Sequence, residues 1–171
     1  MLTQQELERS PLFQGISYDE YRRMLTCFQA VQRSYRPEEM IYDFSKPNQN
    51  AVGIIERGAA SLIRIDADGV ATVLEELHAG GVFGKDLAFA GSREDSLEVV
   101  CRTACDVLFI DYPHILKRCE NACYHHSLLV QNMLRLMADK AQSLSERVDV
   151  LSRRSIREKL LCYFRQQSEK E

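Results

Sequence analysis

The stretch that decides the fold of this chain is Gly80-Gly81-Val82-Phe83-Gly84-Lys85-Asp86-Leu87. Its glycines bound a short apolar pair, which is the pattern of a brief strand between two turns. Further apolar runs follow at Leu97–Cys101 and Val107–Ile110. Short runs of this kind, each closed by turn residues, indicate a β domain with closely spaced strands.

The same pattern extends towards the N-terminus, as far as Ala30. Asp66-Ala67-Asp68-Gly69 separates the runs Ala60–Ile65 and Val70–Leu77, which is a strong hairpin signal. Counting all such runs gives about eight short strands, a number and spacing typical of an antiparallel jelly roll.

Helical patterns lie on both sides of the β region. Ser17, with Glu20 three residues later, predicts a capped helix that begins at Tyr18. After Pro113 the apolar period becomes helical, and a long helix is predicted from about Asn121. The predicted fold class is therefore α+β, a jelly roll with flanking helices and a long C-terminal helix.

Along the long helix, apolar residues recur at alternating steps of four and three, which is the heptad pattern of a coiled coil. This heptad row consists of Val130, Leu134, Met137, Ala141, Leu144, Val148 and Leu151. Leu129, Met133 and Leu136 widen the apolar face in the first half, so that half is expected to contact the β domain as well. We expect the row to form a homodimer; the alternative is a helix that folds back on its own domain.

Charge and cysteine content narrow the class of protein. The 171 residues carry a net charge of −3, which gives no overall attraction to nucleic acid. The N-terminus lacks the features of a signal peptide, and no apolar run approaches the length of a membrane span. Six cysteines without an export signal indicate free thiols in a reducing compartment. We expect a cytoplasmic protein with no membrane partner.

Together these features resemble the Crp/Fnr superfamily of bacterial transcription regulators, whose sensor is a cyclic-nucleotide-binding-like jelly roll. The likeness covers nearly the whole chain. The likeness rests on Pro11–Ile16, on the glycine-bounded hairpins and on the glycine spacing of the stretch around Gly84. It also rests on Arg154–Leu161, where Ser155 and Glu158 predict a second capped helix. The resemblance implies a sensor domain over residues 1–120, a dimerisation helix over 121–152 and the start of a DNA-binding domain over 153–171. The helix-turn-helix that would bind DNA is absent from these residues.

The resemblance also shows an inversion of charge. In such domains a glutamate after the turn glycine holds the ribose, and an arginine beside a serine neutralises the cyclic phosphate. Here Lys85 stands at the glutamate position, and Asp95 precedes Ser96 in place of the arginine. A phosphate facing Asp95 would meet a like charge in a partly desolvated pocket. The implied sensor therefore does not respond to cyclic AMP.

The candidate effector-binding residues come from this stretch and from the long helix. They are Gly84, Lys85, Asp86, Leu87, Arg93, Asp95, Ser96, Asn132 and Arg135. Lys85 and Arg93 favour a small anionic or aromatic effector, such as a carboxylate or phenolate, held over apolar side chains that include Phe83. The alternative is a surface turn whose ligand site has been lost. We expect no cofactor.

A cysteine and histidine cluster is a candidate metal or redox site. Cys119 and Cys123 are four residues apart, so both fit one helical face, with His126 nearby. We favour structural packing because two ligands rarely hold a metal tightly and cysteine is often a small buried residue. His78 and His114 are haem-ligand candidates that rest on single histidines.

Two other classes of protein compete with a regulator. A cupin-like enzyme would gather histidines on neighbouring strands, but only His78 falls on a predicted strand, so we expect no enzyme. A regulatory cyclic-nucleotide domain of a kinase or channel would keep an intact phosphate-binding stretch, and it leaves Arg154–Leu161 unexplained.

Overall fold

The computed structural model describes residues 2–46, 50–84, 96–116 and 124–169. Within these ranges the helices are α1 (Gln4–Arg9), α2 (Tyr18–Cys27), α3 (Tyr112–Leu116), α4 (Tyr124–Ser152) and α5 (Ile156–Ser168), with a 3-10 turn at Pro11–Phe13. The strands are β1 (Val31–Tyr35), β2 (Met40–Asp43), β3 (Ala51–Arg57), β4 (Ala60–Ile65), β5 (Ala71–Leu77), β6 (Val82–Phe83), β7 (Ser96–Cys101) and β8 (Cys105–Asp111).

The strands form two four-stranded sheets in the orders β1-β8-β3-β6 and β2-β7-β4-β5, and every described pair is antiparallel. The predicted jelly roll with flanking helices and a long C-terminal helix is confirmed. Asp66–Gly69 forms the turn of the β4–β5 hairpin, where Gly69 adopts a φ of 81°.

The core lies between the sheets and draws apolar side chains from both. Its members include Ile55, Leu62, Val99 and Val107, all buried. Along β7, buried residues alternate with half-buried ones, so one face of this strand supplies the core. The short strand β6 places Phe83 opposite Gly53 of β3.

A buried polar network holds the N-terminal segment to the first sheet. The carboxylate of Glu56 accepts hydrogen bonds from the hydroxyl of Tyr21 (3.1 Å) and from the backbone N–H of Leu2 (3.0 Å). Burial, and next the charge of Glu56, raise the pKa of the Tyr21 phenol well above its ordinary value. The helical spacing of Met24, Leu25 and Phe28 predicts the buried side of α2. Met24 and Phe28 are buried and Leu25 is half-buried, while Tyr21, outside that prediction, is also buried.

Chain contacts divide the protein into two compact units, Met1–Met133 and Leu134–Glu171. The first residues of α4 belong to the first unit, because Leu129, Asn132 and Met133 are buried there. The domain bounds expected from the sequence, 1–120, 121–152 and 153–171, stay a prediction.

The second unit is a helical hairpin in which α5 returns along α4. The side chain of Gln166 donates to the backbone oxygen of Glu146 (3.2 Å), and the thiol of Cys162 donates to Asp149 (3.2 Å). Ser155 caps α5 in the predicted capping box with Glu158.

None of the described helices is both long enough and apolar enough to cross a membrane. Among the described cysteines, Cys27, Cys101, Cys105 and Cys162 are free thiols. Burial raises the pKa of the Cys101 thiol to about 12, so this sulfur stays protonated and behaves as an apolar core group.

Candidate functional site

Only the two ends of the predicted effector stretch fall within the described residues. Gly84 is buried against β3, where an added Cβ would lie 3.1 Å from the backbone oxygen of Ala51. At the other end, Ser96 begins β7 and donates a hydrogen bond to the carboxylate of Glu98 (3.4 Å). The five remaining candidates lie outside the described residues, and their contact with an effector stays a prediction: Lys85, Asp86, Leu87, Arg93 and Asp95.

A cation that the sequence analysis did not single out lies on the inner face of the second sheet. Arg64 of β4 stands directly opposite Leu97 of β7, and residues opposite each other share a face. Two residues earlier, Leu62 stands opposite Val99, and both belong to the buried core. Arg64 therefore points to the core side of the sheet. The alternation of Leu62, Ile63 and Arg64 along β4 was the signal that could have found it.

Aromatic side chains line the space between the sheets. The rings of Phe44 and Tyr42 meet edge to face with centroids 4.8 Å apart, and Tyr42 meets Phe83 at 5.7 Å. Phe83, which belongs to the other sheet, in turn meets Phe109 of its own sheet at 6.1 Å. The result is a continuous aromatic cluster that joins the two sheets near the predicted effector stretch.

The candidates on α4 differ in their surroundings. Asn132 is buried, and its side-chain nitrogen donates to the backbone oxygens of Leu12 (3.1 Å) and Gln14 (2.8 Å). These two bonds use both hydrogens of the amide and hold α4 to the 3-10 turn. Arg135 is exposed and belongs to the second unit. Asn132 thus has a packing role that the sequence did not reveal, and effector contact by either residue stays a prediction.

The heptad row is an apolar surface of α4, and all of its residues except Val130 lie in the second unit. In the single chain, Leu134, Val148 and Leu151 are 62%, 57% and 67% exposed. Leu144 is 41% exposed, Ala141 is exposed, and Val130 and Met137 are half-buried. The contact between α4 and α5 therefore leaves most of the row open to solvent.

His114 of α3 and His126 of α4 each lie within hydrogen-bond distance of a backbone oxygen. His114 Nδ1 lies 3.0 Å from the backbone oxygen of Phe28, and His126 Nε2 lies 2.6 Å from that of Ile115. The described part of the chain holds no group of three or more metal-ligating side chains. Cys119 and Cys123, the candidate metal or redox pair, lie outside the described residues.

The sequence profile of the cyclic nucleotide-binding domain family matches residues 32–122. The chain belongs to this family. Among curated proteins, none matches the sequence significantly.

Solved structures similar to this cyclic nucleotide-binding domain include bacterial regulators. Thermus thermophilus Catabolite Activator Protein has a TM-score of 0.65 and 24% identity over 84% of this chain, which spans 63% of that protein. The N-terminal domain of a transcriptional regulator from Streptomyces coelicolor A3(2) has a TM-score of 0.54 and 15% identity, covering 88% of this chain and 99% of its own. A CooA mutant from Carboxydothermus hydrogenoformans has a TM-score of 0.60 and 16% identity, covering 90% of this chain and 93% of its own. At these identities the likeness establishes the fold. The cyclic-nucleotide-binding-like domain predicted from the sequence is confirmed.

A further concave surface lies between α4 and α5. It encloses about 1030 Å³ and is lined by side chains of both charge signs. Hydrogen bonds from Arg153 (2.6 Å) and then from Cys162 hold the pKa of the Asp149 carboxyl below its ordinary value. Because acidic and basic groups alternate along this cleft, it does not favour a charged ligand of either sign.

Proposed function

We propose that this chain is the effector-sensing and dimerisation part of a Crp/Fnr-type transcription regulator that does not respond to cyclic AMP. The observation that carries the proposal is the exposed heptad row on α4. Apolar side chains left open at coiled-coil spacing on a 29-residue helix are suited to pairing with a second copy. A pair of such helices would join two sensor domains.

The loss of the cyclic AMP response rests on charge. Asp95 occupies the place of the arginine that neutralises the cyclic phosphate, and Lys85 occupies the place of the glutamate that holds the ribose. Each exchange reverses the sign required by the nucleotide, so a cyclic nucleotide would be repelled where it is normally held.

The DNA partner rests on the fold neighbours and on α5. The similar Streptomyces coelicolor domain is the N-terminal part of a transcriptional regulator. In this chain α5 leaves Ile156, Leu161 and Phe164 more than half exposed, which fits a helix that packs against a further domain. DNA contact itself would come from a helix-turn-helix outside these residues.

Sedimentation equilibrium of wild type, Leu151→Ala and the control Leu160→Ala tests the pairing. Fully burying a leucine stabilises by about 1.5–3 kcal/mol, and Leu151 has 67% of its surface still to bury. Its truncation should therefore cost about 1–2 kcal/mol in each copy, or about 2–4 kcal/mol in a dimer. The dissociation constant should rise by a factor between about 30 and several hundred.

Leu160 is a matched control because it is 50% exposed but lies on α5, outside the heptad row. Its truncation should leave the dissociation constant almost unchanged. Monomeric wild type at high micromolar concentration would contradict the proposal. So would an equal weakening by both variants, because pairing would then not depend on α4.

A further inference from the structure

Strand β1 forms an open edge of the first sheet. In the described part of the chain it pairs only with β8, in consecutive antiparallel pairs that run from Val31↔Phe109 to Tyr35↔Cys105. Every residue of β1 is exposed except Tyr35, which is half-buried. The backbone groups on the outer side of β1 are therefore open to pairing with an added strand.

The other edge strands that the structure describes are poorer templates for an added strand. Strand β6 has only two residues, and a register shift interrupts the pairing of β2 with β7 and of β5 with β4. Such bulges bend a strand and protect its edge from further pairing. Of the described edges, β1 is thus the one that offers a regular backbone over five residues.

A groove of about 430 Å³ lies between β1 and α2. Buried Leu108 and half-buried Leu25 give it an apolar lining, and Gln32 of β1 and exposed Arg22 of α2 add polar groups. Adjacent strands lie about 4.8 Å apart, and alternate side chains of a strand point to the same face. Alternate side chains of a strand added to β1 would therefore face this groove.

Basic side chains flank β1 on both faces. Arg22 lines the groove, on the face of Gln32, whereas the next residue of β1, Arg33, lies on the opposite face. The guanidinium of Arg33 lies over the ring of Phe109, 5.8 Å from its centroid. Neither arginine forms an ion pair with another described residue. Both charges are therefore open to a carboxylate on an added strand.

The carboxylate of Asp106, opposite Ser34 on β8, does not cancel this charge. It already binds the guanidinium of Arg57 (2.7 Å) and accepts a hydrogen bond from the hydroxyl of Ser34 (2.7 Å). The edge of β1 therefore carries a positive charge that favours an acidic partner.

A second copy of this chain fits the edge poorly. In the antiparallel register that would pair all five residues of two β1 strands, Arg33 would stand opposite its own counterpart. Like charges directly opposite each other destabilise a strand pair. An acidic segment would meet the same arginine with the opposite charge, so charge complementarity favours a different partner.

We propose that β1 binds an extended acidic segment of a partner protein by β-strand addition. Backbone hydrogen bonds to β1 supply the affinity. An apolar side chain in the groove over Leu108, with carboxylates beside Arg22 and Arg33, supplies the selectivity. The heptad row of α4 contributes no residue to this contact, so the contact can be tested separately from the pairing of α4.

Fluorescence anisotropy of the full chain with a labelled peptide tests the proposal. The probe is an eight-residue blocked peptide that repeats two valines and two glutamates, so that each face of the extended peptide carries both residue types. It should bind with saturation. The same peptide with lysine in place of glutamate should bind about tenfold more weakly or worse, because two favourable ion pairs become repulsive. A fully N-methylated glutamate peptide has no backbone donors and should not bind.

Substitutions at the two arginines and hydrogen exchange locate the site. Arg22→Gln and Arg33→Gln should each weaken binding of the glutamate peptide about two- to fivefold, the usual contribution of one exposed ion pair. Arg102→Gln is the matched control, because Arg102 is exposed at the β7–β8 turn and loses the same charge, and it should leave the affinity unchanged. Binding should protect the amides of residues 31–35 from exchange and leave those of β5 unchanged.

Several results would overturn the assignment. They are no saturable binding of the glutamate peptide by wild type, equal affinity for the glutamate and lysine peptides, and protection confined to a strand other than β1. Protection of residues 31–35 that rises with protein concentration in the absence of peptide would also overturn it, because a second copy would then occupy the edge.

Discussion

Replacing Gly53 with alanine should disrupt the contact between β3 and the ring of Phe83 on β6. A Cβ at this position would lie 2.2 Å from Cζ of Phe83 and 2.4 Å from its Cε2. Carbon atoms normally approach to about 3.5–4.0 Å, so the ring would have to retreat by more than about 1 Å. Tyr42 and Phe109 pack against the same ring and oppose that movement.

The expected cost follows from overpacking in a filled core. Forcing extra carbon into such a site costs about 1–3 kcal/mol, and the immobile neighbours of Phe83 favour the upper end. Glycine to alanine in an open strand would instead stabilise by about 0.4–1 kcal/mol. We therefore expect Gly53→Ala to lower the free energy of unfolding by about 2–3 kcal/mol.

Urea unfolding followed by circular dichroism measures this change, and a double-mutant cycle isolates its cause. In a Phe83→Leu background the aromatic ring is gone, so Gly53→Ala should cost less than about 1 kcal/mol. The argument would be refuted if Gly53→Ala had the same cost in both backgrounds, or if it stabilised the wild-type chain.

Two further predictions concern the polar contacts at either end of the chain. Tyr21→Phe leaves the Glu56 carboxylate with one donor fewer and should lower the free energy of unfolding by about 1–3 kcal/mol at neutral pH. Folding raises the pKa of Tyr21, so the protonated phenol stabilises the folded wild type below pH about 10. This stabilisation should be lost as the pH rises further, and Tyr21→Phe should not show that loss. Ser155→Ala removes the cap of α5 and should destabilise that helix by about 1 kcal/mol, measured as faster proteolysis and lower helical ellipticity.

Each of these predictions has an internal control. Tyr18→Phe removes a hydroxyl from the same helix outside the Glu56 network and should leave the urea midpoint unchanged. If Tyr18→Phe lowered the urea midpoint as much as Tyr21→Phe does, the stabilising role of the Tyr21–Glu56 hydrogen bond would be contradicted. Ser168→Ala lies at the other end of α5 and should not change its proteolysis. Equal sensitivity of both serine variants would rule out the capping explanation.

Local signals in the sequence were sufficient for most of the fold. The Asp66–Gly69 turn, the capping boxes at Ser17 and Ser155, and the change of period after Pro113 each depend on a few neighbouring residues. Such signals act within one element, so they predict strands and helix starts without knowledge of the partner strands.

Contacts between distant segments were harder to predict. The Asn132 amide reaches the backbone of Leu12, and Tyr21 reaches Glu56, across separations that no periodicity reveals. Arg64 was missed because its significance depends on facing Leu97, which is a property of sheet register. The heptad row was visible in the sequence because its spacing alone carries the signal, but its pairing needs a second copy.

Pairing of α4 is the central claim, and disulfide trapping at position 148 tests it most directly. Val148 is 57% exposed and lies in the heptad row, where a parallel pair brings each side chain against its own counterpart. Val148→Cys should give a disulfide-linked dimer on mild oxidation, with peptide mapping that joins the two substituted positions. Asp139→Cys, on the same helix but away from the row, should not exceed the wild-type background. Equal, low cross-linking by both variants would contradict paired helices.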